Sequence, residues 1–497
     1  MAQRPLLLIG AAAVAAACQR QPDGPRLQVL TESGRVRAGD ALPATSAIFD
    51  GTTVRLRAVR GETVGLEVLR EATDQVPVAL AIAGATVAGF AVDHAIVAAP
   101  STSMYGPSRG PGTYPDRLIP TDGPIATGRM AYFDVMVPAT AAPGVGPGVL
   151  TVGARRIPVE LTVDAAAVPP LDAAPWVWAY YDPVEVARAA GTTTPAETLA
   201  AERPYAALFR RYGVLATPEL TLASAEARHD LVAGARFVPV LLPREPAALA
   251  DAVTRWIART AGTGVTPFAI PIDEPRTAAA QAEVRRLSAL VRAAGGGPGR
   301  FLYAVTYRPD PALGDAVDVY VAPEAARDRA LARSRAWTYN GAPGWAGAMV
   351  VDDAGGSLRS WGWLAFAYDL PLWYVWDALY WRDRHNRGGA RAPAHPLGAS
   401  PITFDDGEDH GALDGVLAYP GPQPSLRLAQ LRRGVTDRAL LDALAACAGR
   451  AAADDLVAPV VPADGPPRWP RDDAGWERLR RQVLDALARC PPARADG

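Results

Sequence analysis

The chain has 497 residues, of which 49% are hydrophobic and 21% charged, and its formal net charge at pH 7 is −2. These values are typical of a globular protein, and the length predicts two or three domains instead of one. A charge so close to neutral excludes the basic surface with which proteins bind nucleic acid, so we expect no nucleic-acid partner.

The first 18 residues predict an export signal. An apolar run over 6–17 is too short to span a bilayer but has the length of a signal-peptide core. Its end, Ala-Ala-Ala-Cys18, resembles the lipobox of bacterial lipoproteins. The resemblance implies cleavage before Cys18, lipidation of its thiol and a short tether over 19–26. We expect an exported protein on a bacterial membrane, with the outer membrane favoured because Gln19 follows the cysteine; a plain secretory signal is the alternative.

The cysteine content agrees with export. Only three cysteines occur, and if Cys18 carries lipid, then Cys447 and Cys490 remain as an even pair in an oxidising compartment. A disulfide between them and two separate buried thiols are both compatible with the sequence.

Residues 27–165 predict a β-sandwich domain. Short runs alternate apolar and polar residues, and glycine, proline or aspartate separates them, as at 54–58, 64–68 and 78–82. The Gly- and Pro-rich stretch 101–128 predicts a long loop.

Residues 171–450 predict a (β/α)8 barrel of the TIM type, so the fold class is α/β, and 451–497 predict a C-terminal helical extension. Eight short apolar runs alternate with helical patterns, which indicates parallel strands joined by helices. The runs are Trp176–Tyr181, Gly213–Thr217, Phe237–Leu241, Phe268–Asp273, Phe301–Thr306, Val317–Val321, Ala336–Tyr339 and Leu372–Trp376.

Other chemistries find little support in the sequence. A doubly wound open sheet is the alternative fold, but no Gly-x-Gly-x-x-Gly follows the first run, and no Gly-x-Ser-x-Gly elbow occurs. The histidines have no paired spacing for zinc, and the acidic stretch 405–410 fits no calcium loop. We therefore predict neither a metal nor a cofactor.

Two adjacent carboxylates end the fourth run, at Asp273-Glu274-Pro275. The carboxyl ends of barrel strands carry catalytic residues. Because consecutive strand residues point to opposite faces, both side chains can reach one cavity only where the backbone turns. Pro275 favours an extended Glu274. The alternative is an ordinary helix start, where the dipole favours acids.

Aromatic, amide and carboxylate residues follow several other runs. Aromatic planes stack on the C–H faces of sugars while polar groups bind the hydroxyls, so this rim predicts a glycan partner. The alternative is that the aromatic residues fill the core. The candidate binding residues are Tyr180, Tyr181, Tyr303, Trp337, Tyr339, Asn340, Trp373, Trp376 and Asp377.

One longer signature resembles a known family. The stretch Gly415–Gly421 ends in Tyr-Pro-Gly, and a helix with Ser-Leu-Arg427-Leu and Leu-Arg-Arg433-Gly follows it. This is similar to the C-terminal signature of family 123 glycoside hydrolases and DUF4091-type barrel proteins. Agreement extends to Asp273-Glu274-Pro275, Trp337-Thr-Tyr339, Arg60-Gly61-Glu62 and Tyr114-Pro-Asp116. We expect Arg427 to pair with a buried carboxylate.

The resemblance implies removal of terminal β-linked N-acetylhexosamine, above all N-acetylgalactosamine, in which the acetamido oxygen of the sugar attacks its own anomeric carbon. Asp273 would orient the acetamido group, Glu274 would be the general acid and base, and Tyr339 would help to hold the acetamido group. Two alternatives stay open: a lipid-anchored glycan-binding protein without turnover, and a glycosidase on other sugars that uses Glu274 with Asp377.

Overall fold

The structure is a computed structural model that describes residues 25–72, 74–341, 344–353, 357–382 and 401–490. Cys18, the signal segment and most of the 19–26 tether lie outside these residues. The N-terminal β region consists of β1 (Leu27–Thr31), β2 (Val54–Arg60), β3 (Thr63–Arg70), β4 (Val76–Ile82), β5 (Thr86–Val97), β6 (Gly112–Thr121), β7 (Ile125–Thr127), β8 (Met130–Met136), β9 (Gly144–Val152) and β10 (Arg155–Ala167).

These strands form two five-stranded sheets. Their orders are β1-β3-β8-β5-β6 and β2-β10-β9-β4-β7, and all pairs are antiparallel except β2 with β10. Alternate apolar side chains from both sheets meet in one buried cluster, which includes Leu66, Phe133, Leu56 and Leu150. The alternation of the sequence therefore matches a sheet with one buried face.

The predicted loop 101–128 is wrong over much of its length, because β6 and β7 lie within it. β6 pairs with β5 along nearly its whole length and is the edge strand of its sheet. An edge strand accepts Pro115 and Pro120, whose nitrogens have no proton to donate, because no neighbour needs that proton on the open side.

The rest of the chain confirms the α/β class. Eight parallel strands, in the order β12-β11-β18-β17-β16-β15-β14-β13, form one sheet. They are β11 (Val177–Ala179), β12 (Val214–Ala216), β13 (Phe237–Pro239), β14 (Thr266–Ala269), β15 (Leu302–Val305), β16 (Val319–Val321), β17 (Ala336–Tyr339) and β18 (Trp373–Val375). Just beyond the two end strands, a parallel bridge joins Leu220 to Val240.

Helices connect most of these strands: α1 (Pro183–Ala190), α2 (Pro195–Arg211), α3 (Leu222–Ala227), α4 (Pro246–Thr260), α5 (Ala278–Ala293), α6 (Pro323–Arg327) and α7 (Ser360–Ala367). Capping side chains mark the starts of two of them. Glu245 accepts the N–H of Ala248 at 2.7 Å before α4, and Thr277 accepts the N–H of Ala280 at 3.1 Å before α5. Such caps satisfy the free N–H groups of a first turn.

Two short β ribbons and three helices complete the described chain: β19 (Ile402–Asp405) with β20 (His410–Ala412), β21 (Ala418–Tyr419) with β22 (Gln423–Pro424), α8 (Leu426–Ala448), α9 (Arg450–Val457) and α10 (Asp473–Leu487). Cys447 near the end of α8 and Cys490 after α10 form a disulfide, with their Cα atoms 6.0 Å apart. No helix in the described part of the chain combines the length and hydropathy of a membrane span.

Buried arginines of α8 bind carboxylates of the N-terminal β region. Arg427 donates to both oxygens of Asp116 at 3.0 and 2.8 Å, and both side chains are 0% exposed. This confirms the predicted pairing of Arg427. In the next turns, Arg432 binds Asp134 and Arg433 binds Glu62 at 2.6 Å.

Around Arg433, further ion pairs extend this network. Arg480 on α10 also donates to Glu62 at 2.6 Å, while Arg359 binds Glu477 at 3.1 Å. Burial by itself would raise the pKa of Glu477, but Arg433, Arg359 and Arg480 outweigh it and hold that pKa at about 2. The N-terminal strands, α8 and α10 are thus joined by charges that have no access to water.

We expect Asp116→Ala to destabilise the protein by about 3–5 kcal/mol, because it leaves Arg427 charged and buried without its partner. The shift of the urea midpoint measures the loss. Asp251→Ala is the matched control, since it breaks the exposed Arg255–Asp251 pair of α4, in which the side chains are 63% and 64% exposed; there we expect less than about 0.5 kcal/mol. Equal shifts would contradict the assignment.

Candidate active site

A cavity of about 620 Å³ opens at the carboxyl ends of the eight parallel strands. Because parallel strands end at one edge, residues far apart in sequence meet there. Residues after six strands line it: Tyr180, Glu219, Asp273, Glu274, Thr306, Asn340, Trp376 and Asp377, together with Tyr339 and Tyr374 of the strands themselves. The lining of the cavity thus combines carboxylates with aromatic rings.

Asp273 and Glu274 reach this cavity from a loop instead of a strand. β14 ends at Ala269, four residues earlier than the apolar run predicts. The physical reason is Pro271, whose nitrogen cannot donate a hydrogen bond to a neighbouring strand. The loop that follows gives the backbone room to turn.

Thr306 holds the two acidic residues together. Its hydroxyl donates to Oδ1 of Asp273 and accepts the backbone N–H of Glu274 at 3.1 Å. One side chain after β15 thereby positions two consecutive residues after β14. Thr306 was not predicted as a site residue because nothing in the sequence relates it to Asp273.

Glu274 has a left-handed backbone, with φ at +40°. The expected extended conformation is therefore wrong. The N–H of Arg276 donates to the carbonyl of Glu274 at 2.6 Å and closes a three-residue turn around Pro275. A non-glycine residue in this conformation is strained, and such strain concentrates at functional sites. The turn is what allows both carboxylates to line one cavity.

The Glu274 carboxylate has two partners near the mouth of the cavity. Tyr339 donates its hydroxyl to Oε1 at 3.1 Å, and Arg276 forms an ion pair with Oε2. Burial raises the pKa of Tyr339, as do the charges of Glu274 and Asp273, so the phenol keeps its proton and remains a donor. Glu274 is 35% exposed, which leaves it accessible to a ligand.

Aromatic rings form one side of the cavity. Tyr374 stacks on Trp178 at 4.5 Å between ring centroids, and its ring is near parallel to that of Tyr339 at 6.4 Å. Asn340 fixes Trp376 by accepting its backbone N–H at 3.0 Å. These are flat apolar surfaces next to hydrogen-bonding groups.

The N-terminal β region contributes Tyr105 to the lining of the cavity. Tyr105 donates to Asp414 at 3.0 Å, and the indole N–H of Trp376 donates to the same oxygen at 3.1 Å. Burial raises the pKa of Asp414 to about 6, although these two donors and Arg427 oppose the rise. The loop of Tyr105 is held in place because Ser101 donates to Asp352 at 2.6 Å. The cavity therefore needs both parts of the chain.

Seven of the predicted site residues line the cavity: Asp273, Glu274, Tyr180, Tyr339, Asn340, Trp376 and Asp377. Asp377 is fully buried and accepts the N–H of Leu379 at 2.8 Å. The spacing along the chain is consistent with this outcome, since all seven follow or end a parallel strand.

Four predicted binding residues do not line the cavity, which corrects those assignments. Tyr181 donates to Glu202 of α2 at 2.9 Å, and Trp373 stacks on Trp361 of α7 at 4.7 Å, so both face the helices. Tyr303 is also fully buried outside the lining. Trp337 shares a strand face with Tyr339 but packs on Phe268, one layer deeper.

Glu219 is a cavity residue that the sequence analysis missed. It follows β12 as Asp273 follows β14, so the rule that strand ends carry functional groups could have found it. Burial, and then the charge of Asp273, raise its pKa to about 7. Among the described residues, no group of three or more His, Cys, Asp or Glu is suited to a metal ion.

Comparison with solved structures indicates the class of fold. A family 123 glycoside hydrolase from Clostridium perfringens, studied for glycolipid glycan hydrolysis, superposes with a TM-score of 0.64 at 11% identity over 94% of this chain and 99% of its own. A family 2 glycosyl hydrolase from Bacteroides cellulosilyticus has a TM-score of only 0.26 at 11% identity, covering 64% of this chain and 44% of its own.

The fold is thus similar to that of a glycoside hydrolase. No protein-family model and no curated protein sequence matches the chain.

The strain at Glu274 can be tested through its effect on stability. At φ +40° glycine is unstrained, so Glu274→Gly should be more stable than Glu274→Ala by about 1 kcal/mol. At Glu283, inside α5, the order should reverse by a similar amount, since glycine weakens a helix. Urea denaturation of the four variants checks both differences, and the same order at both positions would contradict the strain.

Proposed function

We propose that the protein is a glycoside hydrolase that removes terminal β-linked N-acetylhexosamine, chiefly N-acetylgalactosamine, by a substrate-assisted mechanism with retention. The observation that carries the proposal is the pair Asp273 and Glu274, adjacent in sequence and both lining one cavity. Two-carboxylate glycosidases place their acids on opposite sides of the sugar, whereas a sugar that supplies its own nucleophile permits adjacent acids.

In the first step, the acetamido oxygen bonds to the anomeric carbon while the glycosidic bond breaks. Glu274 gives its proton to the leaving oxygen, and Asp273 accepts the acetamido N–H and stabilises the positive charge that develops on the ring of the intermediate. In the second step, Glu274 takes a proton from water, and the water oxygen attacks the anomeric carbon while the bond from the acetamido oxygen to that carbon breaks. This restores the acetamido group. Two inversions give net retention.

Neighbouring side chains support these roles. Thr306 fixes the orientation of Asp273, so that its second oxygen can face the substrate. Tyr339 keeps its proton and can donate either to Glu274 or to the acetamido oxygen. The rings of Tyr180, Tyr374 and Trp376 offer apolar planes to the C–H face of a sugar.

The non-acetamido alternative would use Asp377 as the second carboxylate. Asp377 is 0% exposed and its Oδ1 already accepts the N–H of Leu379, which is the contact of a residue that shapes the turn after β18. The geometry therefore favours Asp273 over Asp377 as the partner of Glu274.

We also propose that the eight-stranded sheet is a closed (β/α)8 barrel over 171–450 and that the N-terminal sheets form a sandwich over 27–165. Closure is supported by the bridge between Leu220 and Val240, which follow the two end strands. The sandwich is supported by the apolar cluster that the two N-terminal sheets share.

Hydrolysis of aryl β-glycosides tests the activity. The protein lacking residues 1–18 should cleave the N-acetylgalactosaminide, and the N-acetylglucosaminide more slowly, but not the galactoside, because galactose has no acetamido nucleophile. Asp273→Asn and Glu274→Gln should each lower kcat/KM by about 10²–10⁴-fold. The loss in Glu274→Gln should be larger with phenyl than with 4-nitrophenyl leaving groups, since 4-nitrophenolate leaves without a proton.

Glu283→Gln, on the exposed side of α5, is the control and should retain full activity. Cleavage of the galactoside at a similar rate, or an active Asp273→Asn variant, would contradict the substrate-assisted mechanism.

We propose lipid anchoring at Cys18, so that the enzyme acts on glycans outside the cytoplasm. Expressed in a bacterium with its leader, the chain should incorporate labelled palmitate and sediment with membranes, and Cys18→Ser should lose the label, since the thiol is the acceptor. If the wild-type chain carries no label, the alternative of a plain secretory signal is favoured.

A further inference from the structure

Glu219 lines the cavity but has no part in the mechanism above. Glu219 lies between β12 and α3, and hydrogen bonds on both sides hold its backbone: Thr217 donates to Ala179 at 3.1 Å, and Leu220 donates to Pro239 at 3.0 Å. The side chain lines the same cavity as Asp273 and Glu274. Its position is therefore set by the sheet, and it points to where a ligand would bind.

Within the described part of the chain, no hydrogen bond or ion pair holds the Glu219 carboxyl. The neighbouring acids differ: Thr306 donates to Asp273, Tyr339 donates to Glu274, and Tyr105 donates to Asp414. A partly buried polar group that serves the fold is normally hydrogen-bonded to the protein. The described residues therefore give the Glu219 carboxyl no hydrogen-bonding role in the fold.

Burial and the charges around Glu219 favour its neutral form. The titratable groups that face it are Asp273 after β14 and Tyr374 on β18, and neither supplies a positive charge. Arg276, the cation among the lining residues, pairs with Glu274 instead. Burial first, and then the nearby Asp273, make a negative charge on Glu219 unfavourable, and the pKa of Glu219 rises to about 7.

We propose that Glu219 is a substrate-binding residue that contacts the sugar as a neutral carboxylic acid and donates its proton in a hydrogen bond to a substrate oxygen. The proposal rests on the function proposed above and adds to it a donor, which complements the acceptor Asp273. The class of ligand is an uncharged sugar that presents an oxygen acceptor beside its acetamido N–H.

The hydrogen bond from Glu219 to the sugar should affect KM and the dependence of KM on pH. Glu219→Ala should raise KM about 10-fold, the value of one lost hydrogen bond, with kcat changed less than about threefold. Glu219→Gln keeps a neutral donor and should have a KM near that of the wild type at pH 6. Above pH 7 the KM of the wild type should rise as Glu219 ionises, while that of Glu219→Gln stays constant.

Thermal stability tests the neutral carboxyl without any ligand. Because the pKa of folded Glu219 lies above its ordinary value, its protonated form contributes stability below about pH 4.5, and this contribution is lost as the pH rises through about 7. Glu219→Gln cannot ionise, so its Tm relative to the wild type should increase by about 2 °C between pH 5 and pH 8. Glu226→Gln, on α3 with an 80% exposed side chain, is the control and should show no such increase.

The outcomes separate the two proposals. If no aryl glycoside is cleaved, the proposed function fails, and calorimetric binding of N-acetylgalactosamine at pH 6 and pH 8.5 replaces KM. If the wild type loses binding at the higher pH and Glu219→Gln does not, the result would still support Glu219 as the donor. No pH-dependent gain in Tm, a KM unchanged in Glu219→Ala, or no binding of the free sugar to an inactive wild type would each overturn the assignment.

Discussion

The structure depends on the pairing of buried arginines with buried carboxylates along α8. Arg427 and Asp116 are both fully excluded from water, as are Arg433 and Glu62 at 1% and 0% exposure. An isolated charge in such a place is strongly unfavourable, and a pair is tolerated only when its hydrogen bonds are complete. Because the arginines come from α8 and the acids from the N-terminal strands, neither part can bury its charges without the other.

This pairing also assembles the cavity. The same contacts hold the N-terminal β region against the parallel sheet, so that Tyr105 can reach Asp414 beside Trp376. Buried acids in the two places have opposite properties. Three arginines hold the pKa of Glu477 at about 2, whereas Glu219, with Asp273 and no cation beside it, has a pKa of about 7. Surrounding arginines favour the ionised form of a buried acid such as Glu477. An acid beside another carboxylate and without a cation, such as Glu219, instead favours its protonated form.

The family resemblance in the sequence is carried mainly by residues of this network. Arg427 and Arg433 of the helix signature, Asp116 of Tyr-Pro-Asp and Glu62 of Arg-Gly-Glu pair with one another. Their chemistry constrains the packing of strands on a helix, and none of these four residues lines the cavity. The signature is therefore evidence for a fold. This agrees with the superposition on the family 123 glycoside hydrolase, which has a TM-score of 0.64 at 11% identity. Of the matched residues named above, Asp273, Glu274 and Tyr339 line the cavity.

The sequence by itself determined the order of secondary structure. Alternation of period two marks the N-terminal strands, eight apolar runs mark the parallel strands, and capping residues such as Thr277 mark helix starts, because these signals are local. The position of Asp273 and Glu274 at a strand end follows from the same patterns. Pattern alone could not separate the seven predicted residues that line the cavity from the four that do not, such as Trp337 and Trp373, since periodicity fixes a face and not a depth.

Only the tertiary structure decided what depends on distant partners. β6 forms despite its prolines because β5 pairs with it at a sheet edge, and the left-handed Glu274 persists because Thr306 and Arg276 hold its turn. Burial and the charge of Asp273, 54 positions away in the chain, raise the pKa of the Glu219 carboxyl. Pairing at an edge, strain and desolvation arise from residues that the fold brings together, and no window of the sequence contains them.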